Sequence, residues 1–128
     1  MKDFTTAFFF ARLPVAVSLL GHGLVRIPKL QVFSDWMVTT MGKSAIPEAL
    51  LIPFGYVLPF AETAIGILLL ITYRIKMIIY AALTLMSILV LGSCSIENWQ
   101  AIESQLLHSF YLFGLLWFHE KFSAVEKK

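Results

Sequence analysis

The sequence predicts an all-α integral membrane protein, a four-helix bundle with a short interfacial helix between its first two spans. Three observations predict it. The chain is 59% hydrophobic and 14% charged, whereas a soluble domain is nearer half apolar and a quarter charged. The charges are also segregated: no Asp, Glu, Lys or Arg lies between Lys76 and Glu97, or between Glu103 and Glu120. Soluble amphipathic helices carry a polar face that such blocks lack. Finally, Glu62 is the only charge from Ala49 to Tyr73, in a run long enough for a membrane span, which takes roughly 20 apolar residues. A carboxylate there costs on the order of 3 kcal/mol to insert, so the other helices are expected to be arranged around Glu62. The chain of 128 residues holds one such domain, 1–128, with no room for a second.

The first span is expected over Thr6–Ile27, with Pro14 in its early turns and its end at Pro28, because a proline disfavours helical geometry in the residue before it. From Pro28 to Ile46 runs the one long loop. Within it Leu30, Phe33, Met37 and Met41 recur at helical spacing beside Trp36. That pattern fits a short amphipathic helix in the outer interface, either a covered connection or a lid over the mouth of the bundle. The second span, Pro47–Thr72, contains Pro53 and Pro59, whose freed carbonyls neighbouring helices can satisfy. The third runs over Ile75–Ser93 and the fourth over Ala101–His119, with Trp99 and Trp117 marking opposite interfaces. Arg12 interrupts the apolar stretch after Lys2, and no small-x-small site precedes Gly21, so the N-terminal segment is expected to be retained rather than cleaved as a signal. Lys2, Arg74, Lys76, Lys121, Lys127 and Lys128 fall on one side against Arg26, Lys29 and Lys43 on the other, which predicts cytoplasmic termini. The net charge of +2 is spread over the loops and gives no nucleic-acid footprint. One cysteine, Cys94, excludes an internal disulfide and a CxxC dithiol.

Positions three, four and seven apart share a helix face. Polar residues therefore gather on one stripe per span: Arg12, His22, Gly23 and Arg26; Gly55, Pro59, Glu62, Gly66 and Tyr73; Tyr80, Thr84, Ser87, Leu91 and Cys94; Ser104, His108, Tyr111 and His119. Polar groups avoid lipid, so each stripe is expected to turn inward, its glycines permitting close approach. At 1.5 Å per residue, Arg12 lies roughly 22 Å and Glu62 roughly 20 Å from the outer ends of their spans, and His22 and His108 roughly 8 and 9 Å. The expected pairs are Arg12 with Glu62 deep in the bundle, and His22 with His108 nearer the mouth, below Arg26 and Cys94. The ion pair either locks the bundle or serves a polar site. The histidines either hydrogen-bond within the bundle or serve a pocket for a quinone head group. Axial ligation of a b-type haem, which needs room for a macrocycle in a very small bundle, and a metal held by His22, His108 and Cys94, which no short-range spacing motif supports, are further options.

In order and spacing, Arg12-Leu13, His22-Gly23, Lys29-Leu30, Pro47, Pro59-x-x-Glu62-x-x-x-Gly66 with Leu68-Leu69-Leu70, and Arg74 resemble the DoxX family of small four-helix membrane proteins, related to the DoxD subunit of thiosulfate:quinone oxidoreductase. The resemblance covers nearly the whole chain. It implies a bacterial inner-membrane protein tied to redox chemistry, with Arg12, His22, Lys29 and Glu62 as key positions; His108 is added by depth alone. The chain has no soluble redox domain or cofactor fingerprint, which speaks against independent thiosulfate oxidation. The expected function is an accessory subunit that binds a quinone or small lipid through Arg12, His22, Arg26, Glu62 and His108 and docks a larger redox protein or a second copy. The alternative is an assembly protein whose polar core is structural.

Overall fold

The computed structural model describes residues 2–71 and 74–126, with side chains over 6–71 and 74–122. Thr72 and Tyr73, expected to end the second span and its stripe, lie outside the described residues, as do Lys127, Lys128 and the side chain of Lys2. The described chain is all-helical: α1 Lys2–Arg26, α2 Leu30–Thr40, α3 Glu48–Ile71, α4 Ile75–Ser95 and α5 Trp99–Glu126. Short 3-10 turns, Ile27–Lys29 and Met41–Lys43, flank α2. Pro28 does not end the helical path. It sits in the 3-10 turn, where its missing N–H costs little, so Thr6–Lys43 is one nearly continuous helical stretch.

Among the described residues three helical stretches are long and apolar enough to cross a membrane: Thr6–Lys43, Glu48–Ile71 and Ile75–Ser95. The expected fourth span, α5, is longer than foreseen at 28 residues. Glu103, Ser104, Gln105, His108 and Ser109 near its start, and Glu120 and Lys121 near its end, dilute its apolar run.

α1 packs mainly along α3 and α4 along α5, with α1 and α5 joining the two pairs. Glycines set the α1–α3 distance. A Cβ on Gly23 would stand 2.0 Å from Thr63 Oγ1 and 2.5 Å from the Pro59 carbonyl oxygen, and one on Gly66 would stand 2.7 Å from the Leu20 nitrogen. α2 packs on the first turns of α3, where a Gly55 Cβ would lie 2.9 Å from Ser34 Cα and the buried Ser34 hydroxyl donates to the Ile52 carbonyl (3.3 Å). The half of the molecule nearer the chain ends is solid, filled by Phe8, Val15, Leu69, Ile79, Leu112 and Leu115. The other half holds only a smaller cluster around Met37, Leu51, Leu58 and Leu85.

The polar stripes behave unequally. Gly55, Pro59, Glu62 and Gly66 of α3 are all buried, as expected. The α4 stripe is corrected: Tyr80, Thr84, Ser87, Leu91 and Cys94 are all exposed, and the buried face is Ile79, Ala82, Leu85 and Met86. The reason is local. The Thr84 and Ser87 hydroxyls each donate to the carbonyl four residues back, Tyr80 and Leu83, at 2.9 Å. A hydroxyl satisfied on its own helix needs no neighbour, so apolar volume decides the inward face.

Candidate functional site

In the half with the small cluster, the helices enclose a cavity of about 480 Å³, within the usual range for a ligand pocket. The later turns of α1, one face of α2, the first half of α3, the end of α4 and the start of α5 line it. Most of the wall is apolar: Phe33 and Met37 from α2, Met41 from the turn after it, Leu51, Phe54 and Leu58 from α3, Met86 and Leu89 from α4. Four titratable side chains share the lining, His22 and Arg26 of α1, Glu62 of α3 and His108 of α5. Leu50 of α3 and Ile88 and Leu91 of α4 are exposed residues of this lining.

The ion pair at its centre differs from the expected one. Glu62, 4% exposed, accepts two hydrogen bonds from Arg26 Nη1, at 3.1 Å on Oε2 and 3.3 Å on Oε1. The guanidinium lies over the Phe33 ring, 4.5 Å from its centroid. Arg12 is not the partner. It is 2% exposed, donates from Nε to the Leu69 carbonyl at 2.6 Å, and lies against the Phe8 and Phe9 rings. Leu69 is seven residues beyond Glu62 on α3, or ~10 Å along the axis, and Arg12 is outside the cavity lining. Depth counting misplaced the two because α1 and α3 do not begin level. The first turns of α3 run beside α2, so Glu62 faces Gly23 and Arg26 rather than Arg12.

The histidines do meet, with ring centroids 6.2 Å apart and the rings edge to face. His22 Nδ1 donates to the Ser18 carbonyl (2.7 Å) and His108 Nδ1 to the Ser104 carbonyl (2.9 Å). A carbonyl can only accept, so Nδ1 of each ring carries a proton. The Ser18 hydroxyl and His108 Nε2 are hydrogen-bonded at 2.8 Å. That engages the His108 nitrogen that an axial metal bond would need, so the two imidazoles are not arranged as a haem clamp. Cys94 is exposed and outside the cavity lining. Among the described residues no three of His, Cys, Asp and Glu come together as a metal site. Lys29 closes the turn between α1 and α2 on the exposed surface.

Gln105 and Ser93 are polar lining residues that the predicted stripes leave out. Gln105 Nε2 donates to the Ser93 hydroxyl at 3.0 Å, and Gln105 Oε1 is buried without a hydrogen-bond partner. Both residues lie off the predicted stripes, although Gln105 shares a face with His108 three residues on, a spacing that could have found it. Compared with known proteins, the chain matches no family model, no curated protein and no solved structure.

Proposed function

We propose that the protein is a small bacterial inner-membrane accessory subunit, with four spans and cytoplasmic termini, that binds a quinone or a similar lipid-soluble molecule in this cavity. One observation carries the reading: an apolar cavity of about 480 Å³ whose lining includes a carboxylate, a guanidinium and two imidazoles. A lipid with a polar ring and an apolar tail matches both parts of such a lining. Phe33 and Met37 of α2, with Met41 of the turn that follows it, would cover the tail, which is the lid role for an interfacial helix. Arg26 and Glu62 would set the charge of the site, and His22 and His108 would hydrogen-bond the head group. The resemblance to the DoxX family points the same way, and a larger redox protein or a second copy would complete the assembly.

The second reading is an assembly protein with a purely structural polar core. The apolar ridge of α5, Leu107, Phe110 and Phe113, all more than half exposed, favours it. Extraction in mild detergent followed by lipid mass spectrometry and an absorption spectrum separates the two. Stoichiometric quinone supports the first reading, an empty cavity with a tightly co-purifying protein the second, and a Soret band would overturn the haem argument above.

A further inference from the structure

Two empty spaces border the loop-side end of α1. One is the cavity. The other is a shallow groove on the outer surface of the helix, lined by Val17, Ser18, Gly21, His22, Val25 and Arg26. Val17, Gly21 and Val25 follow one another at intervals of four and share a face. Both valines are more than half exposed, and a Cβ on Gly21 would meet nothing within 4 Å, so the glycine leaves a notch between them. His22 and Arg26 line both spaces. The edge common to cavity and groove is therefore polar, while the wall to either side of it is mostly apolar. Arg26 stands at that edge with donors to spare. Among the described residues Glu62 engages its Nη1 alone, which leaves the N–H groups of Nε and Nη2. Glu62 lines the cavity and not the groove, so the guanidinium screens the carboxylate from an anion on the groove side. Lys29, exposed in the turn that follows α1, adds a second cation at this end.

Size limits what the cavity can hold. An apolar cavity of about 150 Å³ takes up one benzene molecule. At that scale about 480 Å³ holds about three such groups, the bulk of one chain of roughly eighteen carbons. A lipid with two chains must leave one of them outside. A single tail joined directly to a ring would drag hydrocarbon past the guanidinium to reach the groove. A glycerophospholipid instead joins its two chains through a polar ester segment that carries the phosphate. We propose that one two-chain phospholipid straddles this edge: one chain fills the cavity, the other lies along Val17, Gly21 and Val25, and the phosphate accepts from Arg26. The groove runs ~13 Å along α1 from Arg26 to Val17, the direction a chain takes from its head group into a bilayer. This names the lipid of the cavity site and rests on the reading above that the cavity takes one.

The test titrates the full chain in detergent micelles, by native mass spectrometry, with dioleoyl phosphatidylglycerol, its one-chain lyso form, dioleoylglycerol and a decyl-substituted benzoquinone. One dioleoyl phosphatidylglycerol per chain is expected. Dioleoylglycerol, which lacks the phosphate, should bind about tenfold more weakly, a factor that hydrogen bonds to a charged group supply. Gly21→Phe fills the groove from a position where new atoms meet nothing. It should weaken the two-chain phospholipid by about fivefold, through lost packing of one chain, and leave the lyso form unchanged. Gly92→Phe, which fills the cavity, should weaken both, and Met41→Trp takes its place if that variant does not fold. Sensitivity of a single bound lipid to both sides is the signature of straddling. A two-chain phospholipid indifferent to Gly21→Phe, or one indifferent to filling the cavity, would overturn the proposal, as would equal binding of dioleoylglycerol. Binding of the benzoquinone without the phospholipid would overturn it and leave the cavity site standing. Binding of none of the probes would overturn the cavity site as well.

Discussion

A double-mutant cycle on Glu62 decides which cation the buried carboxylate depends on. In Glu62→Ala, Arg26 loses its anion while staying about two-thirds buried, with a side chain 30% exposed. Removing one partner of a fully buried pair costs about 3–5 kcal/mol. The partial exposure of Arg26 lets water reach the orphaned guanidinium, which lowers the expected cost to ~2 kcal/mol. Glu62→Gln should cost less, because the amide oxygen still accepts from Nη1. The cycle of Glu62→Ala with Arg26→Ala should give a coupling of ~1–3 kcal/mol, as for residues in direct contact. The parallel cycle with Arg12→Ala should give no more than ~0.5 kcal/mol, since Arg12 is held at Leu69, ~10 Å further along α3. Reversible unfolding in mixed micelles, followed by circular dichroism, measures all six variants. Strong coupling to Arg12 with none to Arg26 would refute the placement of both arginines.

Two further predictions test the packing and the cavity. Gly21 and Gly23 lie two residues apart on α1, yet a Cβ meets nothing within 4 Å at Gly21 and backbone oxygen at 2.5 Å at Gly23. Gly21→Ala should therefore stabilise by ~0.5–1 kcal/mol through helix propensity, and Gly23→Ala should destabilise by ~1–3 kcal/mol through overpacking. Thermal unfolding of both in one detergent checks the opposite signs. At Gly92, in the cavity wall, the nearest atom to a new Cβ is Met41 Cε at 3.6 Å. Gly92→Phe is expected to fill the cavity and remove co-purifying lipid by at least tenfold, read by mass spectrometry, while the helical spectrum is kept.

The sequence made the helices legible because their signals are local. Charge-free blocks bounded by Arg74, Lys76 and Glu97 delimit α3 and α4 to within a few residues. The inward set of α3 was legible too, because Glu62 has no partner on its own helix in an apolar setting, and Gly55 and Gly66 are where a neighbouring helix can approach closely. The α4 stripe was misleading for the opposite reason: Thr84 and Ser87 resolve their hydrogen bonds within one turn, so their polarity says nothing about direction. Cavity residues from α2, such as Phe33 and Met37, were legible as one face of a helix but not as the wall of a pocket, which depends on how α2 stacks on α3.

The partner of Glu62 was illegible for a reason that also explains why the site lies where it does. Arg12 and Arg26 are fourteen residues apart on α1, ~21 Å along the axis and on nearly the same face. Either can point toward α3, so the axial register alone chooses between them. That register is fixed by contacts without charge: Gly23 against Pro59 and Thr63, and Gly66 against Ala16 and Leu20. Both glycines admit the facing backbone closer than any side chain would. Sliding α3 by the ~10 Å that separates Leu69 from Glu62 would move both glycines off their partners and set side chains against backbone. Small residues thus select Arg26, and with it the loop-side half of the molecule, as the place where the buried acid borders an unfilled space.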